Sequence, residues 1–226
     1  ENKYYKFNGL NLTIESIDGL VKHNGPIKNL SLHRKILNKD FFNRKIIFNT
    51  FPSLESQIAS ISDDIAYNNH DLEDGLRAGL FTIKKLNSIP FVSEIVNKHV
   101  KNIKNFRREI IINQIVRELI NVMVVDVINT TNRYLKKYNP QSIKDIYKQG
   151  HLIVDFSDKI KKVDIQIKDF LRRNMYNHKK VIINTNKGKR IIKTLFKCLL
   201  KNPKKYINEV LLKTEPKERV IVDFIA

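Results

Sequence analysis

The chain has 226 residues, and its 42 lysines and arginines against 23 acidic residues give it a formal net charge of +19. A hydrophobic content of 42% excludes a chain that is too polar to form a core, and the length suffices for one full core. Just 7 glycines and 6 prolines argue against a turn-rich all-β fold and predict long helices.

In the first half of the chain, the hydrophobic pattern and the capping residues predict three helices. They lie at 14–22 after the cap Thr13, at 54–70 after the cap Ser53 with a continuation towards Gly79, and at 107–137. The third of these is apolar on more than one side, which is typical of a central helix that neighbours bury.

In the second half, the pattern predicts a short helix at 141–149 that ends at Gly150, and a brief extended segment at 152–156. Further helices are predicted at 158–176, 189–200 and 204–212, and 220–226 is a helix-like apolar run. The fold class is therefore all-α, a bundle of antiparallel helices. Because the chain starts at Glu1 rather than at Met and has no stop signal after its last apolar run, we expect it to be incomplete at both ends.

The cysteine and the hydropathy pattern restrict the compartment. The single Cys198 excludes an internal disulfide, and the apolar run around it predicts a buried structural thiol. The most apolar stretch, 119–128, is shorter than the roughly 20 residues that a membrane span needs. These features predict a cytoplasmic protein without a membrane partner.

The excess positive charge has two interpretations. It is compatible with a polyanionic partner such as a nucleotide, a nucleic acid or an acidic lipid surface. It is equally compatible with a lysine- and asparagine-rich composition whose cations are simply solvated. Both stay open, because no cluster of these cations matches a nucleic-acid-binding module.

The stretch 62–75 carries the most chemical information, since it places five acids within twelve residues of a basic chain. On a helix, a predicted apolar stripe of Leu54, Ile58, Ile61 and Ile65 lies apart from a polar face with Asp63, Tyr67, His70, Asp71 and Asp74. Like charges at this spacing repel each other, so a metal ion, a basic helix or a substrate donor is expected to compensate them. An acidic surface paired with the many lysines is the alternative.

A second metal site is conceivable around the His70-Asp71 doublet. With His23 or His33 upstream and Asp126 downstream, the doublet could form a complete ligand set. Such loosely spaced partners are a much weaker signal than an HExxH motif. In its Asn-Gly-Pro context, His23 is better explained as a turn residue that forms hydrogen bonds.

Five segments of the chain form a recognisable series. They are Phe7-Asn8-Gly9-Leu10-Asn11-Leu12-Thr13, then Lys22-His23-Asn24-Gly25-Pro26, then 63–79, then Met175-Tyr176-Asn177-His178, and finally 219–226. Together they resemble the bacterial dGTPase-like branch of the HD-superfamily deoxynucleoside triphosphate (dNTP) triphosphohydrolases. They occur in the order of that family, and the resemblance covers essentially the whole chain.

The resemblance implies metal-dependent hydrolysis of a dNTP to the deoxynucleoside and inorganic triphosphate, by an HD-type helical domain. It makes Asp63 a metal ligand, Tyr67 and Asp71 part of the sugar and phosphate pocket, and Asp71 the acceptor for the 3′-hydroxyl. Tyr176 would pack near the sugar or base. The candidates for binding the phosphates are Lys168, Arg172, Arg173 and His178.

The family's other metal ligands lie in a His…His-Asp part that precedes the region matched here, so the resemblance identifies 1–226 as the C-terminal part of one such domain. We expect the chain to hold Mg²⁺, Mn²⁺ or Fe²⁺ weakly or not at all, since one carboxylate has little affinity without converging partners. It is predicted to be inactive by itself, unless a complementing N-terminal fragment joins it; an inactive remnant that folds without a role is the alternative. The resemblance also implies a homo-oligomer and, as a further partner, single-stranded nucleic acid.

Overall fold

The computed structural model describes residues 5–6, 10–29, 46–101 and 107–226. Within these ranges the regular secondary structure is helical and no strand is present, which confirms the all-α class. Two sequence predictions lie outside the described residues: the Phe7-Asn8-Gly9 motif and His33. None of the helices in the described ranges combines the length and the apolar character of a membrane span.

The chain divides into two compact units, Glu1–Asp169 and Phe170–Ala226. The sequence prediction that residues 1–226 belong to one domain is not tested by this division and stays a prediction. The helices assigned mainly to the first unit are α1 (Ile14–Val21), α2 (Leu54–Arg77), a 3-10 helix (Ile83–Ser88), α3 (Pro90–Val100), α4 (Arg108–Tyr138), α5 (Ile143–Lys148) and α6 (Asp158–Leu171).

The ends of these helices follow the local rules of capping. The side chains of Thr13 and Ser53 accept hydrogen bonds from backbone N–H groups in the first turns of α1 and α2, as predicted. Gly79 has a φ of 66°, the left-handed conformation that ends a helix readily. Asn139 adopts the same conformation after α4, with a φ of 42°, directly before Pro140.

The core of the first unit forms where α2 packs against α4. The buried side chains of α4 include Ile112, Ile115, Leu119 and Met123, which confirms the prediction of a central helix. Helix α3, which the sequence pattern does not predict, begins with a proline at its first turn, where the absent N–H costs nothing. The predicted extended segment at 152–156 is wrong, because these residues form bends and no strand.

A buried lysine attaches α1 to the rest of the first unit. The side chain of Lys22 is 1% exposed, and its Nζ lies 2.7 Å from Asp18 Oδ1. The same ammonium donates to Thr50 Oγ1 at 2.9 Å and stands 5.1 Å from the ring centroid of Tyr147. These three contacts satisfy the cation, as a buried charge requires.

The second unit consists of a π turn (Arg172–Tyr176), α7 (Lys179–Lys201), a 3-10 turn (Pro203–Lys205), α8 (Glu209–Thr214) and α9 (Lys217–Ile225). Its small core joins α7 to α9 through Leu199, Val220 and Ile221. The predicted helix at 189–200 therefore starts too late, and that at 204–212 is split. Cys198 is exposed, so the prediction of a buried thiol is wrong.

Candidate functional site

The polar face of α2 is separate from its buried face, as the sequence predicts. Asp63 and His70 are exposed, Tyr67 is 58% exposed, and Asp71 is half-buried. Asp63, Tyr67 and Asp71 follow each other at four-residue steps, about 6 Å apart along the helix axis. Their side chains therefore form one row along α2.

The buried face of α2 differs from the predicted apolar stripe. Ile65 is buried, but Ile58 is 51% exposed, so the stripe is wrong at this position. Gln57 is buried in its place, because its Oε1 accepts from the backbone N–H groups of Ile153 and Val154 at 2.9 and 3.1 Å. Its amide also donates to the Pro52 carbonyl at 2.9 Å, so both polar atoms of this buried side chain are bonded.

A cavity of 720 Å³ lies between α1 and α2, and Asp63 is at its border. The two helices approach closely at Gly19, where a Cβ atom would lie 2.2 Å from Ser56 Oγ. His23 also lines the cavity, and its ring bonds to the Leu20 carbonyl and the Asn24 side chain, both at 2.9 Å. The interpretation of His23 as a turn residue is thereby confirmed.

Lys168 belongs to a polar network that joins α6 to α2. Its Nζ lies 2.9 Å from Asp164 Oδ2 and 3.2 Å from Asp64 Oδ2, while Asn68 Nδ2 donates to Asp164 Oδ1 at 2.9 Å. Burial acts to lower the pKa of Lys168, but the hydrogen bond and charge of Asp164, together with Asp64, outweigh it and raise that pKa. Lys168 is thus a cation held between two carboxylates.

The remaining predicted phosphate and sugar residues lie in the second unit. Arg172, Arg173 and Tyr176 belong to the π turn, a wider turn that is frequent at functional sites. The turn ends with Asn177 N–H donating to the Arg172 carbonyl at 3.1 Å. His178 caps α7, since its Nδ1 accepts from Lys180 N–H at 3.3 Å, so one ring nitrogen is already used.

Comparison with known proteins shows which family the chain resembles. The model of a phosphohydrolase-associated domain (HD_assoc) matches residues 154–226. The whole chain is 47% identical to the deoxyguanosinetriphosphate triphosphohydrolase-like protein of Pelagibacter ubique (strain HTCC1062) and covers 61% of that protein. The chain is similar over its whole length to proteins of this dGTPase-like family of the HD superfamily.

Other relatives have the same name. The protein from Bartonella henselae is 36% identical, and the match covers all of this chain and 59% of the relative. The protein from Brucella ovis is 36% identical over 90% of this chain and 52% of the relative. The dGTPase-like chain therefore spans between 52% and 61% of the length of these three relatives.

The described part of the dGTPase-like chain does not form a metal site by itself. It contains no group of three or more His, Cys, Asp or Glu side chains that could hold an ion. The second metal site considered from the sequence, around the His70-Asp71 doublet, included Asp126. Asp126 accepts hydrogen bonds from the N–H and Oγ of Ser157 at 2.8 and 2.7 Å, and His70 lies 3.8 Å from Glu73. Of the ligands that the resemblance implies, the described residues supply Asp63.

The network of Asp64, Asn68, Asp164 and Lys168 is the feature of this dGTPase-like chain that sequence reasoning missed. Its members on α2 and α6 are about a hundred residues apart, with separations of 96 for Asn68 to Asp164 and 104 for Asp64 to Lys168. A local signal existed in the four-residue spacing of Asp164 and Lys168, which is typical of a helical ion pair. Nothing local indicated α2 as their common partner.

Proposed function

We propose that this chain contributes one side of the active site of a dNTP triphosphohydrolase, an enzyme that hydrolyses a dNTP to the deoxynucleoside and triphosphate. One observation carries the proposal: α2 presents Asp63, Tyr67 and Asp71 in one row, in a chain 47% identical to a dGTPase-like protein.

Each residue of the row has a role that suits its chemistry. The Asp71 carboxylate accepts the hydrogen bond of the 3′-hydroxyl, and the Tyr67 phenol lies against the sugar and phosphate. Asp63 supplies one oxygen ligand to a divalent metal, Mg²⁺, Mn²⁺ or Fe²⁺, which would activate water when bound. Because one carboxylate does not hold such an ion firmly, further ligands have to converge on Asp63 before the reaction can occur.

The roles of the second unit rest on the resemblance. Tyr176 is proposed to pack near the sugar or base, with Arg172, Arg173 and His178 as phosphate ligands. Guanidinium groups suit this role, since they bind phosphate oxygens in a bidentate manner. Lys168 is the weakest candidate, because two carboxylates already neutralise it and a phosphate would have to replace one of them.

The 3′-hydroxyl contact gives the sharpest test. We expect the chain to bind dGTP more tightly than 2′,3′-dideoxy-GTP in calorimetry, since a hydrogen bond to a charged acceptor contributes about 1.5–3 kcal/mol, roughly tenfold in affinity or more. In Asp71→Asn the difference should shrink, whereas Glu94→Gln, at an exposed carboxylate on α3, should leave it unchanged. Equal affinities of the wild-type chain for the two nucleotides would contradict the assignment.

Turnover is a separate measurement. The purified chain should release no triphosphate from a dNTP in the presence of Mg²⁺ or Mn²⁺, because the described residues supply a single ligand of the metal. Release at the rate of an intact family member would show that the chain completes its site unaided and would refute this expectation.

Helix α7 supports a second candidate function, the binding of single-stranded nucleic acid. Eight of its 23 residues are Lys or Arg, all exposed, and none is acidic. In a salt titration, each phosphate contact to a single strand contributes about 0.7 to the slope of log affinity against log salt. Replacing Lys189, Lys193 and Lys197 by Gln should reduce that slope by about 2. The same change at Lys84, Lys85 and Lys144 is the control, and no binding at low salt would exclude this function.

We also propose that the chain forms a homo-oligomer. Ile191, Ile192 and Leu195 of α7 are exposed by 50, 56 and 47%, although the same helix packs against α9 further on. A second copy could cover this apolar face. Light scattering after gel filtration should then show that Ile192→Glu shifts the mass towards the monomer, while Val210→Glu, at a similarly exposed site on α8, does not.

A further inference from the structure

The polar network that joins α2 to α6 lies directly beside the row of candidate site residues. Asp64 follows Asp63 in the chain, and Asn68 follows Tyr67. Consecutive residues of an α-helix are about 100° apart around its axis, so each network residue on α2 is one step away from a residue of the row. Any rotation of α2 that changes the network therefore also turns the row.

The centre of the network is the buried carboxylate of Asp164. Asn68 and Asp164 are 3 and 6% exposed, and Asn68 Nδ2 donates to Asp164 Oδ1 at 2.9 Å. Lys168 Nζ lies 2.9 Å from Asp164 Oδ2 and 3.2 Å from Asp64 Oδ2. Both oxygens of Asp164 thus lead to α2, one directly and the other through the ammonium group of Lys168.

A second polar contact holds the same side of α2 about three turns nearer to its start. Gln57 is buried there, and its Oε1 accepts from the N–H groups of Ile153 and Val154 at 2.9 and 3.1 Å. Hydrogen bonds depend on angle, whereas apolar packing has no preferred direction. The two polar contacts therefore define the rotation of α2 about its axis more sharply than the apolar core between α2 and α4 does.

Stability alone does not explain a charged network at this place. Taking charges out of water is costly, and well-packed apolar residues of similar volume often hold two helices equally well. A defined geometry matters more for a binding site, which tolerates rotations of only about 10–20°. Side-chain tips lie about 5–6 Å from the axis of a helix, so a rotation of about 20° moves them by about 2 Å.

We propose that Asp164 is a positioning residue for the row on α2. By bonding Asn68 directly and Asp64 through Lys168, it fixes the rotation of α2 and with it the direction of the side chains in the row. Asp164 itself does not touch the substrate. The inference rests on the proposed function, because the row that Asp164 orients is the part of the chain assigned to the nucleotide and the metal.

Nucleotide binding by the folded chain tests this role. In Asp164→Asn, the preference for dGTP over 2′,3′-dideoxy-GTP should fall at least about threefold, since a displaced Asp71 loses its hydrogen bond to the 3′-hydroxyl. Calorimetry well below the unfolding temperature keeps any loss of stability out of this ratio. The control is Glu118→Gln, which breaks the ion pairs with Lys98 and His99 between α3 and α4 and should leave the preference unchanged. An unchanged preference in folded Asp164→Asn would make Asp164 a purely structural residue and overturn the proposal.

Spin labels report the rotation of α2 without any nucleotide. In a chain with Cys198 replaced by Ser, His70→Cys on α2 and Ile128→Cys on α4 provide two exposed label positions. Electron paramagnetic resonance should show that the distance between the labels shifts or broadens by about 2 Å when Asp164→Asn is added. Lys168→Gln, at a side chain that is 43% exposed, should act in the same direction and replaces Asp164→Asn if that variant does not fold. An unchanged distance would overturn the proposal.

The two proposals can fail separately. If the label distance changes in Asp164→Asn while the wild-type chain binds dGTP and dideoxy-GTP equally, the network sets the rotation of α2 and the nucleotide assignment falls. If the preference of the wild type depends on Asp71 but neither the preference nor the label distance changes in Asp164→Asn, only the positioning role is refuted.

Discussion

Replacing Gly75 by alanine tests how tightly the end of α2 is packed. A Cβ atom at Gly75 would lie 2.2 Å from Cε1 and 2.5 Å from Cζ of Phe81, and that ring is buried, so it has little room to move. Forcing an extra methyl group into a packed core costs about 1–3 kcal/mol, while replacing a helical glycine by alanine gains up to about 1 kcal/mol. The net expectation is a loss of about 1–2 kcal/mol.

Gly188 provides the control for this substitution. It lies within α7, and a Cβ atom there would meet nothing within 4 Å, so Gly188→Ala should stabilise the chain by about 0.5–1 kcal/mol. Thermal unfolding followed by circular dichroism should place Gly75→Ala about 2–8 °C below the wild type. If Gly75→Ala is as stable as the wild type or more so, the Phe81 ring is not fixed and the packing argument is wrong.

Two further changes test the polar contacts. Lys98 and His99 bond to Glu118 and lower the pKa of its carboxyl below 4.5. The stabilisation by this carboxylate is therefore present above pH 4.5 and is lost as the pH falls through the lowered pKa. In Glu118→Gln, the free energy of unfolding measured in urea should fall less between pH 5 and about pH 3 than it does in the wild type. Asp164→Asn removes the charge that holds Lys168 and should cost about 1–3 kcal/mol in urea unfolding, whereas no loss would show that the network is not coupled to folding.

The sequence was informative where local rules decide the structure. The caps of α1 at Thr13 and of α2 at Ser53, the end of α2 before Gly79 and the polar row on α2 depend on residues within a few turns of each other. All of them are present in the structure. The row itself follows from helical spacing alone. Its role in binding a nucleotide or an ion stays a prediction.

The sequence was misleading where distant partners decide. Gln57 is buried and Ile58 is exposed because the backbone at Ile153 and Val154 needs an acceptor, and no local pattern contains that requirement. The start of α7 was missed for a different reason. Residues 181–186 are rich in β-branched residues and asparagine, which have low helix propensity, so the apolar periodicity was read as beginning at 189.

Because the ammonium of Lys22 is buried, its rate of acylation can report on the attachment of α1 to the rest of the first unit. A reagent that acylates lysines in water reaches the exposed ammonium groups of the chain directly, but reaches Lys22 only when α1 separates from Thr50 and Tyr147. The acylation rate at this one position, read by mass spectrometry after digestion, therefore measures how often the wall of the cavity formed by α1 opens. A ligand that holds α1 in place would slow that rate in proportion to its occupancy.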